Sequence, residues 1–281
     1  MTEVHTLDVP GARLHYEVRG SGPLLVVVGS PMSAAHFAPF ADALAAHHTV
    51  VTTDPRGIAN SPLEDPDLDV PVEQRADDVV AILDDLGAGT ADLFGSSGGA
   101  ITGLAVVARH PDRLRTLVAH EPPLLELLPD REERRAATED VIATFHAEGP
   151  GPAFAKFMAA AGFVGDDAGA PAEPPPGPPP SEQDLRDAAR FLAHDLRVTT
   201  RYVPEVEALR AAPTRIVVGI GEGSTHLLTY PTSTALAELL EVAPTSFPGD
   251  HGGFLAAPAE FAEVLTKVLA GEVTRRARAG S

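Results

Sequence analysis

The segment Leu93-Phe-Gly-Ser-Ser-Gly-Gly-Ala100 leaves the chain few ways to fold. Thr90–Gly95 before the turn reads as a short strand, Gly98–Arg109 after it reads as a helix, and no loop separates them. A strand that turns directly into a helix forces the residue at the apex into a strained backbone conformation. Only small neighbours avoid a clash there, which accounts for Gly95, Ser96, Gly98 and Gly99. Ser97 then stands at the apex and at a helix start, where free N–H groups and the helix dipole favour negative charge. The pattern is G-x-S-x-G, a nucleophile elbow, and it marks Ser97 as the candidate nucleophile. A phosphate-binding loop is disfavoured, because the lysine and following hydroxyl residue of that motif are missing.

The surrounding sequence sets this turn in an α/β protein. Val4–Val9 and Ala12–Val18, joined across Pro10-Gly11, alternate as an antiparallel hairpin. Runs at Leu24–Val28, Thr49–Thr53, Leu114–His120 and Arg215–Gly219 read as strands, with Pro244–Phe247 a last short one. Ala34–Ala46, Val72–Leu86, Ser233–Glu241 and Ala257–Leu269 read as helices. This alternation predicts a mostly parallel central sheet flanked by helices. The pattern breaks at 122–205, which reads as helices and loops and holds a Pro-rich stretch at 171–180 suited to an exposed connector. The expected organisation is a core domain from 1–121 and 206–275, a helical cap insertion at 122–205 and a flexible tail at 276–281.

Charge narrows the partners. The 21 basic and 40 acidic residues give a formal charge of −19. Such a surface repels nucleic-acid phosphate, anionic lipid and acidic carrier proteins. No run approaches the roughly 18–20 apolar residues of a membrane span. The N-terminus lacks a basic stretch followed by an apolar one, so the expectation is a soluble, cytoplasmic protein. There is no cysteine, and no H-E-x-x-H or EF-hand spacing occurs, so no metal or other cofactor is expected. Abundant alanine, arginine and proline suggest a GC-rich bacterial genome. A homodimer is compatible with the sequence.

Several motifs in order resemble the α/β-hydrolase family, serine branch. Val26-Val-Val-Gly-Ser-Pro-Met32 is similar to the family's H-G-x-P oxyanion loop, with Val28 at the histidine position. Asp54-Pro-Arg-Gly-Ile-Ala-Asn-Ser61 is similar to its D-x-R-G-x-G-x-S turn, with Ala59 at one glycine position. Phe247-Pro-Gly-Asp-His-Gly-Gly-Phe254 resembles its P-G-x-H loop, which implies that His251 is the general base. The third triad member is open. Gly219-Ile-Gly-Glu222 resembles the family's G-x-x-D turn and favours Glu222. The alternative is Glu121 at the end of the preceding strand, where some members place their acid, and Asp250 is a third candidate. The resemblance implies an oxyanion hole from the N–H groups of Ser30 and Gly98.

The implied chemistry is acyl transfer through Ser97 on an ester, lactone or thioester of a small hydrophobic molecule. Phe154, Phe157, Met158, Phe163, Phe191 and Leu192 would line a pocket or form the cap's own core. A perhydrolase or haloperoxidase-like enzyme, a C–C hydrolase or lyase on the same triad, and a non-catalytic ligand receptor are the alternatives. An aspartate-nucleophile dehalogenase or epoxide hydrolase is disfavoured by the serine at the elbow.

Overall fold

Val26, Val51, Leu93 and Leu117 pack into one apolar cluster, while their chain neighbours Val27, Val50, Phe94 and Val118 pack into another. Successive strand residues point to opposite faces, so a sheet covered on both sides needs apolar residues throughout these strands. The computed structural model describes residues 1–164 and 181–272. The Pro-rich stretch 171–180 and the tail 276–281 lie outside the described residues.

The sheet has eight strands: β1 (Glu3–Val9), β2 (Ala12–Gly20), β3 (Leu24–Val28), β4 (Thr49–Thr53), β5 (Ala91–Ser96), β6 (Leu114–His120), β7 (Arg215–Gly221) and β8 (Thr245–Phe247). Their order is β1-β2-β4-β3-β5-β6-β7-β8. β2 runs antiparallel to β1 and β4, and every other neighbouring pair is parallel. Helices α1 (Ala38–Leu44) and α11 (Pro258–Leu269) cover one face through Phe40, Leu44, Phe261 and Leu265. Helices α2 (Val72–Asp85) and α3 (Gly98–Arg109) cover the other through Val79, Ile82, Ile101 and Leu104.

Between β6 and β7 the chain forms α4 (Arg131–Glu148), α5 (Pro150–Ala160), α6 (Glu182–Arg190), a π-helical turn (Phe191–Asp195), α7 (Leu196–Thr200) and α8 (Val206–Ala211). Val141, Ile142, Ala153, Phe191, Leu192 and Leu196 give this layer a small core of its own. Phe157 packs against that core, whereas Phe154 is exposed. Helices α9 (Thr229–Leu239) and α10 (Gly253–Ala256) complete the chain. Among the described residues no helix is long and apolar enough to cross a membrane.

Two helices start differently from their sequence reading, both because of proline. The stretch expected as one helix over Ala34–Ala46 splits into a 3₁₀ turn at Ala34–Phe37 and then α1, with Pro39 in the first turn of α1. α9 begins at Thr229 rather than Ser233, with Pro231 in its first turn. A first turn has no upstream carbonyl for its N–H groups, so proline is tolerated there.

Candidate active site

The ends of β3, β5, β6 and β8 bring the predicted residues together, as expected at the carboxyl edge of a parallel sheet. Ser97 joins β5 to α3 without a loop and holds φ 57°, ψ −123°. That is a left-handed conformation an L-residue avoids unless its surroundings impose it. The surroundings here are tight. A methyl group on Gly99 would stand 2.0 Å from the carbonyl oxygen of Val28, and one on Gly95 would stand 2.4 Å from that of Gly99. The Ser97 N–H donates to the His120 carbonyl at 2.9 Å, pinning the turn to the end of β6.

His251 follows β8, and its Nδ1 lies 2.6 Å from Glu121 Oε2. An ionised carboxylate only accepts, so Nδ1 carries the proton and Nε2 is the nitrogen free to act as a base. Glu121 is wholly buried, with φ 51°. Gly221 N–H donates to its Oε1 at 2.8 Å and the Thr229 hydroxyl to its Oε2 at 2.7 Å. Burial alone would push this carboxyl up. The hydrogen bond from His251 and the charges of His120 and His251 outweigh burial and hold it at about 2.

Glu222 does not reach His251. Its backbone N–H continues the β7–β8 pairing by donating to the Phe247 carbonyl at 3.0 Å, and its side chain is exposed. The favoured sequence expectation for the triad acid is therefore corrected: Glu121, the alternative, occupies the position beside the imidazole. The end of β7 contributes the Gly221 N–H that holds Glu121 instead. Asp250, the third candidate, turns its carboxylate onto the Gly252 N–H at 2.8 Å within its own loop.

Ser30, Ser97, Gly98 and His251 open onto one cavity of about 220 Å³. Its other walls come from the helical layer, including Thr138, Val141, Phe157, Phe191 and Leu196. Phe163 stands over His251, the ring centres 5.8 Å apart. The only charged side chain that the helical layer contributes to the described walls is Arg134, which is ion-paired to Asp130 at 2.7 Å. The Asp54–Ser61 turn braces the site from behind. Asp54 Oδ1 accepts from the Ala34 N–H at 2.7 Å, and Oδ2 from Asn60 at 2.9 and 3.0 Å. Ala59, at the glycine position of the motif, adopts the positive φ of 47° that the turn requires.

The family model for the alpha/beta hydrolase fold matches residues 22–200. The chain belongs to the α/β-hydrolase fold family. Within this family it is similar to the uncharacterized hydrolase YraK of Bacillus subtilis, at 34% identity over 94% of this chain and 95% of the relative. Its fold is also similar to an α/β-hydrolase from Sphaerobacter thermophilus (TM-score 0.68, 26% identity, 94% and 100% of the two chains). A third likeness is to a thermophilic esterase from Thermogutta terrifontis (TM-score 0.72, 19% identity, 98% and 100%).

Four buried polar residues packed around this α/β-hydrolase site are marked by none of the sequence motifs. Arg75 is buried on the apolar stripe of α2 made by Val72, Ala76, Val79 and Leu83. Asp195 likewise interrupts the stripe of Phe191, Leu192, Leu196 and Thr199. A charge at an apolar helical position was the available signal in both cases. His120 is fully buried among Phe94, Phe247, Phe254 and Phe261, and burial pulls its imidazole down to about 4. Thr229 carried no local signal.

Proposed function

We propose that this protein is a serine hydrolase that cleaves a carboxylic ester, lactone or thioester of a small, largely apolar molecule. One observation carries the reading. A serine held in a strained turn at a helix N-terminus shares a cavity with a histidine whose far nitrogen is bound to a buried carboxylate. A serine hydroxyl is a weak nucleophile at neutral pH, and this arrangement supplies what activates it. His251 Nε2 takes the Ser97 proton as the hydroxyl attacks the carbonyl carbon. Glu121 fixes the tautomer and stabilises the imidazolium. The oxyanion rests on the N–H groups of Gly98 and Ser30, and each such donor contributes roughly 3–4 kcal/mol. His251 then protonates the leaving group, and water, deprotonated by the same imidazole, releases the acyl group from Ser97.

The helices between β6 and β7 act as a cap that shapes the pocket. Its volume is below the roughly 300–1,000 Å³ of drug-sized sites, so short acyl groups suit it best. Support from relatives is in keeping, since the B. subtilis relative is named a hydrolase and the T. terrifontis neighbour an esterase. The test is labelling with a fluorophosphonate probe, mapping of the adduct, and turnover of p-nitrophenyl esters from acetate to decanoate. We expect the adduct on Ser97 and a higher kcat/KM for acetate and butyrate than for octanoate or longer. Absence of an adduct on Ser97 refutes the mechanism, and a preference for the longest chain refutes the pocket assignment.

A further inference from the structure

Two charged groups that the triad does not use are buried where the cap meets the sheet domain beside the proposed oxyanion hole. Arg75, on α2, is 7% exposed, and Asp195, at the π-helical turn of the cap, is 2% exposed. The Arg75 guanidinium has contacts in three directions. Nη2 donates to Asp195 Oδ1 at 2.9 Å, and Nη1 donates to the cap's Thr199 Oγ1 at 3.1 Å. Nη1 also reaches Ser30 Oγ in a longer hydrogen bond of 3.4 Å. Asp195 is approached from a second side by Arg190 at 3.9 Å, whose guanidinium donates to the Pro66 and Leu68 carbonyls of the sheet domain.

These contacts converge on the oxyanion donors. A methyl group added at Gly98 would meet Ser30 Cβ at 2.9 Å and Thr199 Cγ2 at 3.2 Å. The helix N-terminus, the β3 loop and the cap are therefore in mutual contact at one point, and Arg75 ties two of them together. A pair of buried opposite charges is a costly way to join two layers, and an apolar pair of the same size would hold them as well or better. What a guanidinium adds is fixed direction: its planar fork sets several partners relative to one another.

We infer that Arg75 is a positioning residue for the oxyanion loop, locking Ser30 to the cap through Asp195 and Thr199 so that the hole is complete only when the cap is seated. The inference rests on the serine-hydrolase reading. It requires Arg75 to act on the chemical step without touching substrate, because the oxyanion donors must lie within a few tenths of an ångström of where charge develops.

The test compares wild type with Arg75→Met, Arg75→Lys and the double variant Arg75→Met/Asp195→Leu, which removes the Arg75–Asp195 pair together while Arg190 keeps its hydrogen bonds to the Pro66 and Leu68 carbonyls. Active sites are titrated with the fluorophosphonate, and kcat and KM for p-nitrophenyl butyrate are expressed per titrated site, with thermal melts alongside. We expect kcat per site to fall about tenfold in Arg75→Met and in the double variant, with KM within threefold of wild type. Arg75→Lys should recover part of the loss. Should Arg75→Met fail to fold, the double variant decides. A fall in kcat per site of less than threefold in the double variant, whatever its melting temperature, overturns the inference and leaves a purely structural bridge. A wild type that neither labels at Ser97 nor turns over refutes the serine-hydrolase reading itself, and with it this inference.

Discussion

Replacing Glu121 by glutamine changes one atom and should nearly abolish turnover. Both carboxylate oxygens accept hydrogen bonds: Oε1 from the Gly221 N–H, and Oε2 from the Thr229 hydroxyl and His251 Nδ1. A glutamine must present an NH₂ group at one of the two positions. Facing Gly221 it would set a donor against a fixed backbone donor in a buried site, which is costly. The amide therefore turns its NH₂ toward His251, and the Thr229 hydroxyl can rotate to accept. Nδ1 must then accept as well, which moves the ring proton to Nε2, the atom that has to receive the Ser97 proton. The carboxyl's displacement from 4.5 to about 2 means that this buried site favours the charged over the neutral form by about 3 kcal/mol at ~1.36 kcal/mol per unit, a preference that a neutral amide cannot use. The wrong tautomer takes the loss toward roughly 10⁴-fold in kcat, the scale known for such a change in a serine triad. Glu222→Gln, on an exposed side chain, should stay within about twofold of wild type. The assay is kcat/KM on p-nitrophenyl butyrate with circular dichroism to confirm folding. A folded Glu121→Gln enzyme with near wild-type turnover, or a Glu222→Gln enzyme crippled 100-fold, would refute the assignment.

Two other predictions concern stability. His120 titrates near 6.5 when unfolded and near 4 in the fold. The unfolded chain therefore binds the extra proton first, and stability is full above pH ~6.5 and falls by about 3 kcal/mol as the pH drops to ~4. Urea unfolding across this range should show the slope in wild type and lose most of it in His120→Phe; an unchanged slope would show that other groups cause it. Glu121 is displaced downward as well: its contribution is present above 4.5 and lost as pH falls through about 2, a lower window than that of His120. Ser97→Gly should be inactive yet melt higher, because glycine accepts φ 57° and relief of about 1–3 kcal/mol of strain exceeds the ~0.5–1 kcal/mol entropic cost of glycine. A melting temperature below wild type would mean that the turn is not strained.

Where a feature depends on a few adjacent residues, the sequence carried it. The elbow is such a case, since the strand on one side of Ser97, the helix on the other and the small residues around it are all local. The loop carrying His251 is likewise legible, being a short run of glycine and proline after a strand. The alternation of apolar runs and amphipathic helices set the layered sheet, because the burial of each element follows from its own periodicity. The choice of carboxylate was not local. Glu121 and Glu222 both stand at the ends of parallel strands next to a turn, and nothing adjacent to either distinguishes them. Pairing of β6, β7 and β8 decides it: the Glu222 N–H is used on Phe247, and the freed Gly221 N–H, 100 residues from Glu121, holds the carboxylate facing His251. Arg75 and Asp195, 120 residues apart, show the same limit. Their helical stripes reveal that each is buried, but only the packing of the helices between β6 and β7 onto the sheet domain supplies the opposite charge that makes burial tolerable.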